Sequence, residues 1–301
     1  MSHSHEHQDP IPTQGRYVMP HTSESQNPMP LVGIVGIQGK FGQSLAEHFS
    51  ESGYCVIGSD KGTACATADV VRRADVVIVA VDIYATEEVI RSIAPTMRDN
   101  QLLLDITSIK EMPCERMLES RASVIGLHPM WNPSLSWPNQ RVVMCAVRPG
   151  GWLPWITDFF TRHQVRITHM APRSHDQYTA VVQGLLHTTT LMQADVLRCM
   201  GVDIPDTLAA AGPVYEIRLG MIGRLLAQDS ELFSGILMLN DEVLPVMQNM
   251  HQSLEGLMRA IKQRDREAFT RYFTQNAEYL GDFKEESKKK TDTLIDLWKK
   301  S

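Results

Sequence analysis

His128 ends the apolar run "VIGLH" and precedes a proline in "VIGLHPMWNPS" (124–134). An imidazole changes charge near neutral pH, and ligands of open α/β sheets collect at the carboxyl ends of strands. His128 is therefore either a general acid or base or a half-buried structural histidine. Upstream, "LLLDITSIKEMP" (102–113) closes another apolar run and brings Ser108 and Lys110 to the same end of a sheet. Ser108 reads as a ligand or as a helix cap. Gln183 and His187 lie four residues apart in an otherwise apolar helical pattern, hence on one face, where they need partners or a ligand. Arg224, between "MIG" and "LLAQD", calls for a carboxylate, supplied by the protein or by a small molecule.

A second group points to a nucleotide. "LVGIVGIQGKFGQSLAEHF" (31–49) runs from an apolar strand through glycines into an amphipathic helix. The dinucleotide fingerprint is G-x-G-x-x-G, one glycine for the tight turn, one for approach to the pyrophosphate and one for helix–strand packing. Gly39 and Gly42 keep the last two roles at the correct spacing. Gly36 makes the turn only in a loop one residue longer, with Ile37 and Gln38 where a single residue belongs. Free N–H groups at the helix start favour an anion. Asp60, 18 residues beyond Gly42 in "VIGSDKG", can accept from ribose hydroxyls and repel a 2′-phosphate, favouring NAD over NADP, with Lys61 beside it acting in the opposite sense. The same carboxylate would suit the ribose of S-adenosylmethionine. The residues expected at the cofactor are Gly36, Ile37, Gln38, Gly39, Phe41, Gly42, Asp60 and Asp82.

These side chains need a scaffold. Apolar runs at 31–36, 54–60, 75–81, 101–106, 123–128 and 141–147 alternate with helical segments, notably 40–52 and 85–97. Continuous apolar strands separated by helices imply a parallel sheet covered on both faces. After Gly150 the pattern becomes helical. The segment 174–200 opens with Ser174 and Gln177 as a capping box, and 213–229 opens with Pro213 at a first helical position. The expected class is α/β: an arm at 1–29, a Rossmann-like doubly wound domain at 30–150, and an all-helical domain at 151–301.

Bulk properties narrow the partners. A chain of 301 residues that is 43% hydrophobic can build two domains. The formal charge of −6, without a basic run interleaved with aromatics, argues against nucleic acid. Five scattered cysteines with no C-x-x-C suggest reduced thiols in the cytoplasm rather than a disulfide frame or zinc site. No apolar stretch approaches a membrane span of about 20 residues. The polar arm reads as a solvated tail, although His3, His5 and His7 could chelate a metal.

"IVGIQGKFGQSLA", "LLLDITSIK", "GLHPMWNPS", "HDQYTAVVQGLLH" and "PVYEIRLGMIGRLLAQD" come in the order and spacing of the prephenate dehydrogenases. Over roughly 31–290 the chain resembles that family, most nearly the dehydrogenase half of the bacterial chorismate mutase–prephenate dehydrogenases. No mutase segment is expected before residue 31, nor a sizeable regulatory domain after the helices. The resemblance implies NAD-dependent oxidative decarboxylation of prephenate or a close analogue, such as arogenate or 4-amino-4-deoxyprephenate. It implies His128 on the ring hydroxyl, Arg224 on the ring carboxylate, and Ser108, Gln183 and His187 around the substrate; Trp131, beside His128, is also expected at the substrate. It also implies a homodimer joined through the helical domain.

Three positions depart from the family pattern: Ile37 for glycine, Asp82 for proline, and Trp131-Asn132 for Phe-Gly. A carboxylate near a pyrophosphate is repelled, by about 1 kcal/mol or more. A second reading therefore keeps the scaffold but exchanges the cofactor, making an S-adenosylmethionine-dependent methyltransferase. Asp82 would then sit favourably near a sulfonium or amino group. A third reading is a regulatory relative that senses an aromatic precursor.

Overall fold

A computed structural model describes residues 29–300; His3, His5, His7 and the rest of residues 1–28 lie outside them. All six expected strands form: β1 (Val32–Val35), β2 (Val56–Ser59), β3 (Val76–Val79), β4 (Leu102–Asp105), β5 (Ser123–Pro129) and β6 (Arg141–Arg148). A seventh, β7 (Arg166–His169), completes a sheet of order β2-β1-β3-β4-β5-β6-β7. Each residue of β1, β3 and β4 is buried, as Val, Ile and Leu runs covered on both faces require.

The register decides where chemistry can gather. Val35 pairs with Ser59 and Val79, Val79 with Asp105, and Asp105 with Gly126. Gly36, Asp60, Ala80, Ile106 and His128 therefore emerge along one edge of the sheet. The chain leaves β1 for β2 on one side and returns to β3 on the other, which makes β1/β3 the switch point where α/β folds hold ligands.

Helices α1 (Lys40–Glu51), α2 (Thr67–Arg73), α3 (Thr86–Ile93), α4 (Glu111–Leu118) and α5 (Leu153–Arg162) flank the sheet. One face carries an aromatic core in which Phe49 stacks on Phe159 at 3.9 Å between ring centroids, beside Trp137 and Phe160. The other packs Val71, Ile90, Ile93 and Met117 on the strands.

Three features differ from the sequence reading. Strand β6 runs antiparallel to β5, because residues 130–140 form a loop without the crossover helix that a parallel pair needs. Strand β7 then pairs parallel with β6 through α5, so the sheet continues past residue 150 to His169. The short "RITH" of β7, only partly buried and polar at both ends, carries little strand signal. Finally, α6 (Pro172–Thr179) begins with Pro172 in its first turn after Ala171, with no side-chain cap. Ser174 and Gln177 lie inside the helix, and the expected capping box does not form.

The helical part continues through a π-helical segment (Ala180–Leu185), α7 (Leu186–Met200), α8 (Ile204–Ala209), α9 (Pro213–Leu226), α10 (Ser230–Met238), α11 (Val243–Gln263), α12 (Arg266–Leu280) and α13 (Phe283–Trp298). Gly184 lets α11 close in, since a Cβ there would lie 3.0 Å from Val243 Cγ2. Neither α12 nor α13 contains a buried residue.

Candidate active site

The longer glycine turn is a closed unit. Gly36 and Ile37 donate to Ser59 O (2.8 and 3.2 Å), and Gly39 N–H returns to Gly36 O at 3.1 Å. Gly36 has φ +92°, a conformation that favours glycine, and a Cβ there would meet Ala80 O at 2.4 Å. The extra residue is absorbed by tucking Ile37 over β2. A Cβ on Gly58 would lie 2.3 Å from Ile37 Cδ1, so the side chain uses space that only glycine leaves. At Gly42 a Cβ would lie 2.1 Å from Gly36 O, which explains the glycine that lets α1 pack on the turn. Within α1 the first bond of this turn is Gln43 N–H to Gly39 O (2.8 Å), so the amides of residues 40–42 are the unpaired donors of a helix start.

Asp60 braces this turn from the end of β2. Its Oδ2 accepts Gln38 N–H (2.9 Å) and its Oδ1 accepts Lys61 N–H (2.7 Å). A carboxylate accepts about four bonds, and partly exposed Asp60 retains capacity for a diol. Asp82 is exposed and turned to its own loop, with Oδ1 accepting Tyr84 N–H (2.8 Å) ahead of α3. It shapes the loop that sets Ile83 against α10, where a Cβ on Gly235 would fall 2.3 Å from Ile83 Cγ2. Tyr84 OH bonds Ser234 Oγ at 2.9 Å beside it.

His128 is 2% exposed, more buried than the sequence suggests, yet its side chain borders a cavity of about 460 Å³ at the seam between sheet and helices. Its Nδ1 lies 2.8 Å from His175 Nε2, and His175 Nδ1 lies 2.7 Å from Asp176 Oδ1. The bonding fixes the tautomers. Asp176 also receives Lys110 N–H and Glu111 N–H, each at 2.8 Å, and so caps α4 from another helix. A carboxylate in that position is an acceptor, so His175 Nδ1–H donates to it. His175 Nε2 then accepts from His128 Nδ1–H, which leaves a lone pair on His128 Nε2. Burial, His175 and Lys110 all hold His128 well below the ordinary imidazole range, so it is neutral at pH 7. Burial also lowers His175, against the opposing pull of its bond to Asp176. A neutral, oriented imidazole with Asp176 behind it can take a proton and share the resulting charge.

The same cavity gathers Ser108, Trp131, Gln183, His187 and Arg224 with His128, and Phe41 reaches it from α1. Ser108 caps no helix, because Asp176 caps α4. Trp131 is buried edge-on to Phe41, 5.7 Å between centroids. Asn132 Nδ2 donates to Gln228 Oε1 (3.2 Å), tying the loop after His128 to the end of α9. Gln183 and His187 do share a face, but through the π-helical turn rather than a regular α-helix, a device common at functional sites. Gln183 Oε1, His187 Nδ1 and Trp131 Nε1 are buried with no partner among the described residues. Arg224 is exposed, and among the described residues no carboxylate pairs with it.

The sequence reading missed His175 and Asp176, although they lie in a quoted motif. The signal was a His-Asp pair just after a proline at a helix start. Their roles depend on β5 and α4, which only tertiary packing brings alongside.

The architecture defines a class: a nucleotide-binding α/β unit joined to a helical unit, with a buried, neutral histidine at the seam. A family model described as prephenate dehydrogenase, nucleotide-binding domain, matches residues 55–167, and one described as prephenate dehydrogenase, dimerization domain, matches 171–275. The chain is 32% identical over 264 residues to the T-protein of Haemophilus influenzae, covering 87% of this chain and 70% of that one. It is 31% identical over 217 residues to the probable arogenate/prephenate dehydrogenase of Methanocaldococcus jannaschii, spanning 70% of this chain but 49% of the relative. The fold matches crystal structures of the A. aeolicus prephenate dehydrogenase with hydroxyphenyl propionate and NAD+ (TM-score 0.71, 18% identity, 86% of this chain, 100% of that one) and of Synechocystis arogenate dehydrogenase (0.64, 19%, 84%, 99%). The chain belongs to the prephenate dehydrogenase family, a family of oxidoreductases.

Proposed function

We propose that the protein carries out NAD-dependent oxidative decarboxylation of prephenate or a close analogue, arogenate or 4-amino-4-deoxyprephenate. The observation that carries this reading is the His128–His175–Asp176 relay opening on a cavity shared with the unpaired Arg224. The turn at 36–42 fits an adenine dinucleotide, since unpaired amides open α1 and Asp60, at the end of β2, keeps acceptor capacity for a ribose diol. Gly36, Ile37, Gln38, Gly39, Phe41 and Gly42 would hold its phosphates, with Asp60 on the ribose and Asp82 shaping the adjoining loop. The bound cofactor supplies the hydride acceptor.

This chain's residues do the rest. His128 Nε2 receives the proton of the ring hydroxyl, and His175 with Asp176 stabilises the imidazolium. Arg224 binds the ring carboxylate, orienting the bond from that carboxylate to the ring for cleavage as the ring becomes aromatic. Ser108, Trp131, Gln183 and His187 surround the ring and its side chain. Because aromatisation drives the reaction, position and charge are what the protein must provide. The S-adenosylmethionine alternative drew on Asp60, the longer turn and Asp82; the turn closes as a regular unit with free amides at the start of α1, and Asp82 accepts Tyr84 N–H in its own loop.

We further place the boundary of the two units near residue 171, and infer a homodimer through the helical unit. Its support is the family model's description and the exposed apolar residues of that unit, among them Met221, Leu226, Phe273 and Leu297. Among the described residues no helix is long and apolar enough to cross a membrane, and the free cysteines suit the cytoplasm.

Calorimetric titration with NAD, NADP and S-adenosylmethionine tests the cofactor, followed by NADH formation with prephenate and arogenate. Selective NAD binding with turnover is expected. Binding of S-adenosylmethionine alone would overturn the reading.

A further inference from the structure

Beneath β5 lies an ion pair that the mechanism above leaves unused. Lys110 and Asp105 are both completely buried, and Lys110 Nζ bonds Asp105 Oδ2. Asp105 Oδ2 also accepts Thr107 N–H (2.9 Å), while its Oδ1 has no partner among the described residues. Gly126 makes the room. It lies two residues before His128 on the same strand face, and a Cβ there would stand 3.0 Å from Lys110 Cδ, 2.7 Å from Cys114 Sγ and 3.2 Å from Asp105 Oδ1. The Lys110 amide meanwhile holds Asp176, the far end of the relay.

We propose that Lys110 is a positioning residue for proton transfer, its buried ammonium offsetting the carboxylates around the His128–His175–Asp176 relay so that His128 stands as a free base. The inference rests on the reading of His128 as the base.

The charges facing the relay can be named by element. Asp105 and Lys110 come from the end of β4 and the loop after it, Cys114 from α4, Cys145 from β6, and Asp176 from α6. Arg224 and His187 face His128 across the cavity. Burial raises both thiols, so Cys114 and Cys145 stay neutral. His187 is also neutral, lowered by burial. The ionised groups packed in the protein around the relay are thus two carboxylates and one ammonium. Two buried carboxylates without the ammonium would raise the relay's imidazoles from their lowered values and protonate a larger fraction of them before substrate arrived. With Lys110 present the cluster carries one net negative charge, which capture of a proton by His128 neutralises. Lys110 acts on His128 in this sense, and on His175 it opposes Asp176 and Asp105. A buried ion pair is a costly way to fill space, and apolar residues of similar volume often serve stability as well. Its place beside the base points to charge rather than packing.

The test compares the pH dependence of kcat/KM, followed by NADH formation, in the wild type, in Lys110→Gln, and in the paired variant Lys110→Met/Asp105→Asn, which leaves no orphaned charge. Lys110→Gln should move the acid limb upward by about one pH unit, a tenfold loss below it, with the alkaline plateau kept within about threefold. The paired variant removes one charge of each sign and keeps the net charge of the cluster, so it should leave the limb near its wild-type position. The 15N shifts of the His128 and His175 rings, titrated without cofactor or substrate, should move with the limb. An unmoved limb in Lys110→Gln, an equal shift in the paired variant, a uniform loss at every pH, or failure of both variants to fold would each overturn the proposal. A wild type without turnover fails the functional reading instead, and the 15N titration then decides the role of Lys110 alone.

Discussion

The two walls of the cavity are built to different standards. On the sheet side, His128 is buried and bonded through His175 to Asp176, and Asp176 is itself held by Lys110 and Glu111 amides and, through its carbonyl, by Asn240 Nδ2 (2.9 Å). On the helical side, Arg224 is exposed and, among the described residues, has no carboxylate partner, and Gln183 and His187 present polar atoms without partners among them. Proton transfer tolerates little misplacement, and under the proposed function its base, His128, would sit on a strand with a supporting shell. A charged fork gripping a carboxylate can complete its geometry when the ligand arrives. The contrast extends to the whole units: the sheet buries its strands, whereas α12 and α13 bury nothing within one chain.

If that contrast is functional, damage to each wall should appear in a different kinetic constant. His128→Asn keeps a donor toward His175 but removes the base, and should lower kcat about 10³-fold with KM changed less than threefold. Steady-state NADH assays measure both. A variant retaining a tenth of wild-type kcat would make the relay structural. Arg224→Gln should act on the other constant, raising substrate KM about 10–100-fold, as loss of a charge-assisted pair does, while kcat falls only a few-fold. Reversal of the two patterns would break the comparison.

The sheet wall was also the more legible in sequence. Its strands are Val, Ile and Leu runs closed by Gly36, Asp60 and His128, and the register carries those ends to one edge. Ser108, Trp131, Gln183, His187 and Arg224 were identified one by one, and the fold gathers them around one cavity. What sequence could not convey was interaction between distant elements. Asp176 caps α4 across 65 residues of chain, and nothing local marks it as a cap. Gly58 has meaning only beside Ile37, and Gly235 only beside Ile83. The departure at Ile37 looked like damage to the turn because its compensation lies on β2. The capping box at Ser174 failed because Pro172 starts the helix earlier, a local competition that the motif does not weigh.

The seam between the walls gives a third prediction. Gly235→Ala would place a methyl against Ile83, and overpacking of this kind costs about 1–3 kcal/mol. Thermal unfolding should show a Tm lower by several degrees. Because Ile83 follows β3 at the cofactor edge and α10 borders the substrate cavity, KM for NAD and for substrate should rise together. A change in only one of them would mean that the units bind their ligands independently.

The smallest effect is a pH dependence of stability, and its sign follows from burial. His128 and His175 have pKa values lowered in the folded protein, against about 6.5 when unfolded. Below that value the unfolded chain binds protons that the folded chain refuses, so stability is complete above pH 6.5 and is lost as pH falls toward the folded values. For fully buried His128 the loss between pH 6.5 and 5.5 should be about 1 kcal/mol, which urea midpoints can measure. His128→Asn should flatten that slope. His187, on the helical wall and only half-buried, should contribute less, so His187→Asn should leave most of it in place. Equal flattening by the two variants would show that both walls desolvate their histidines alike, and the distinction between a fixed wall and an adaptable one would then have to rest on Arg224 alone.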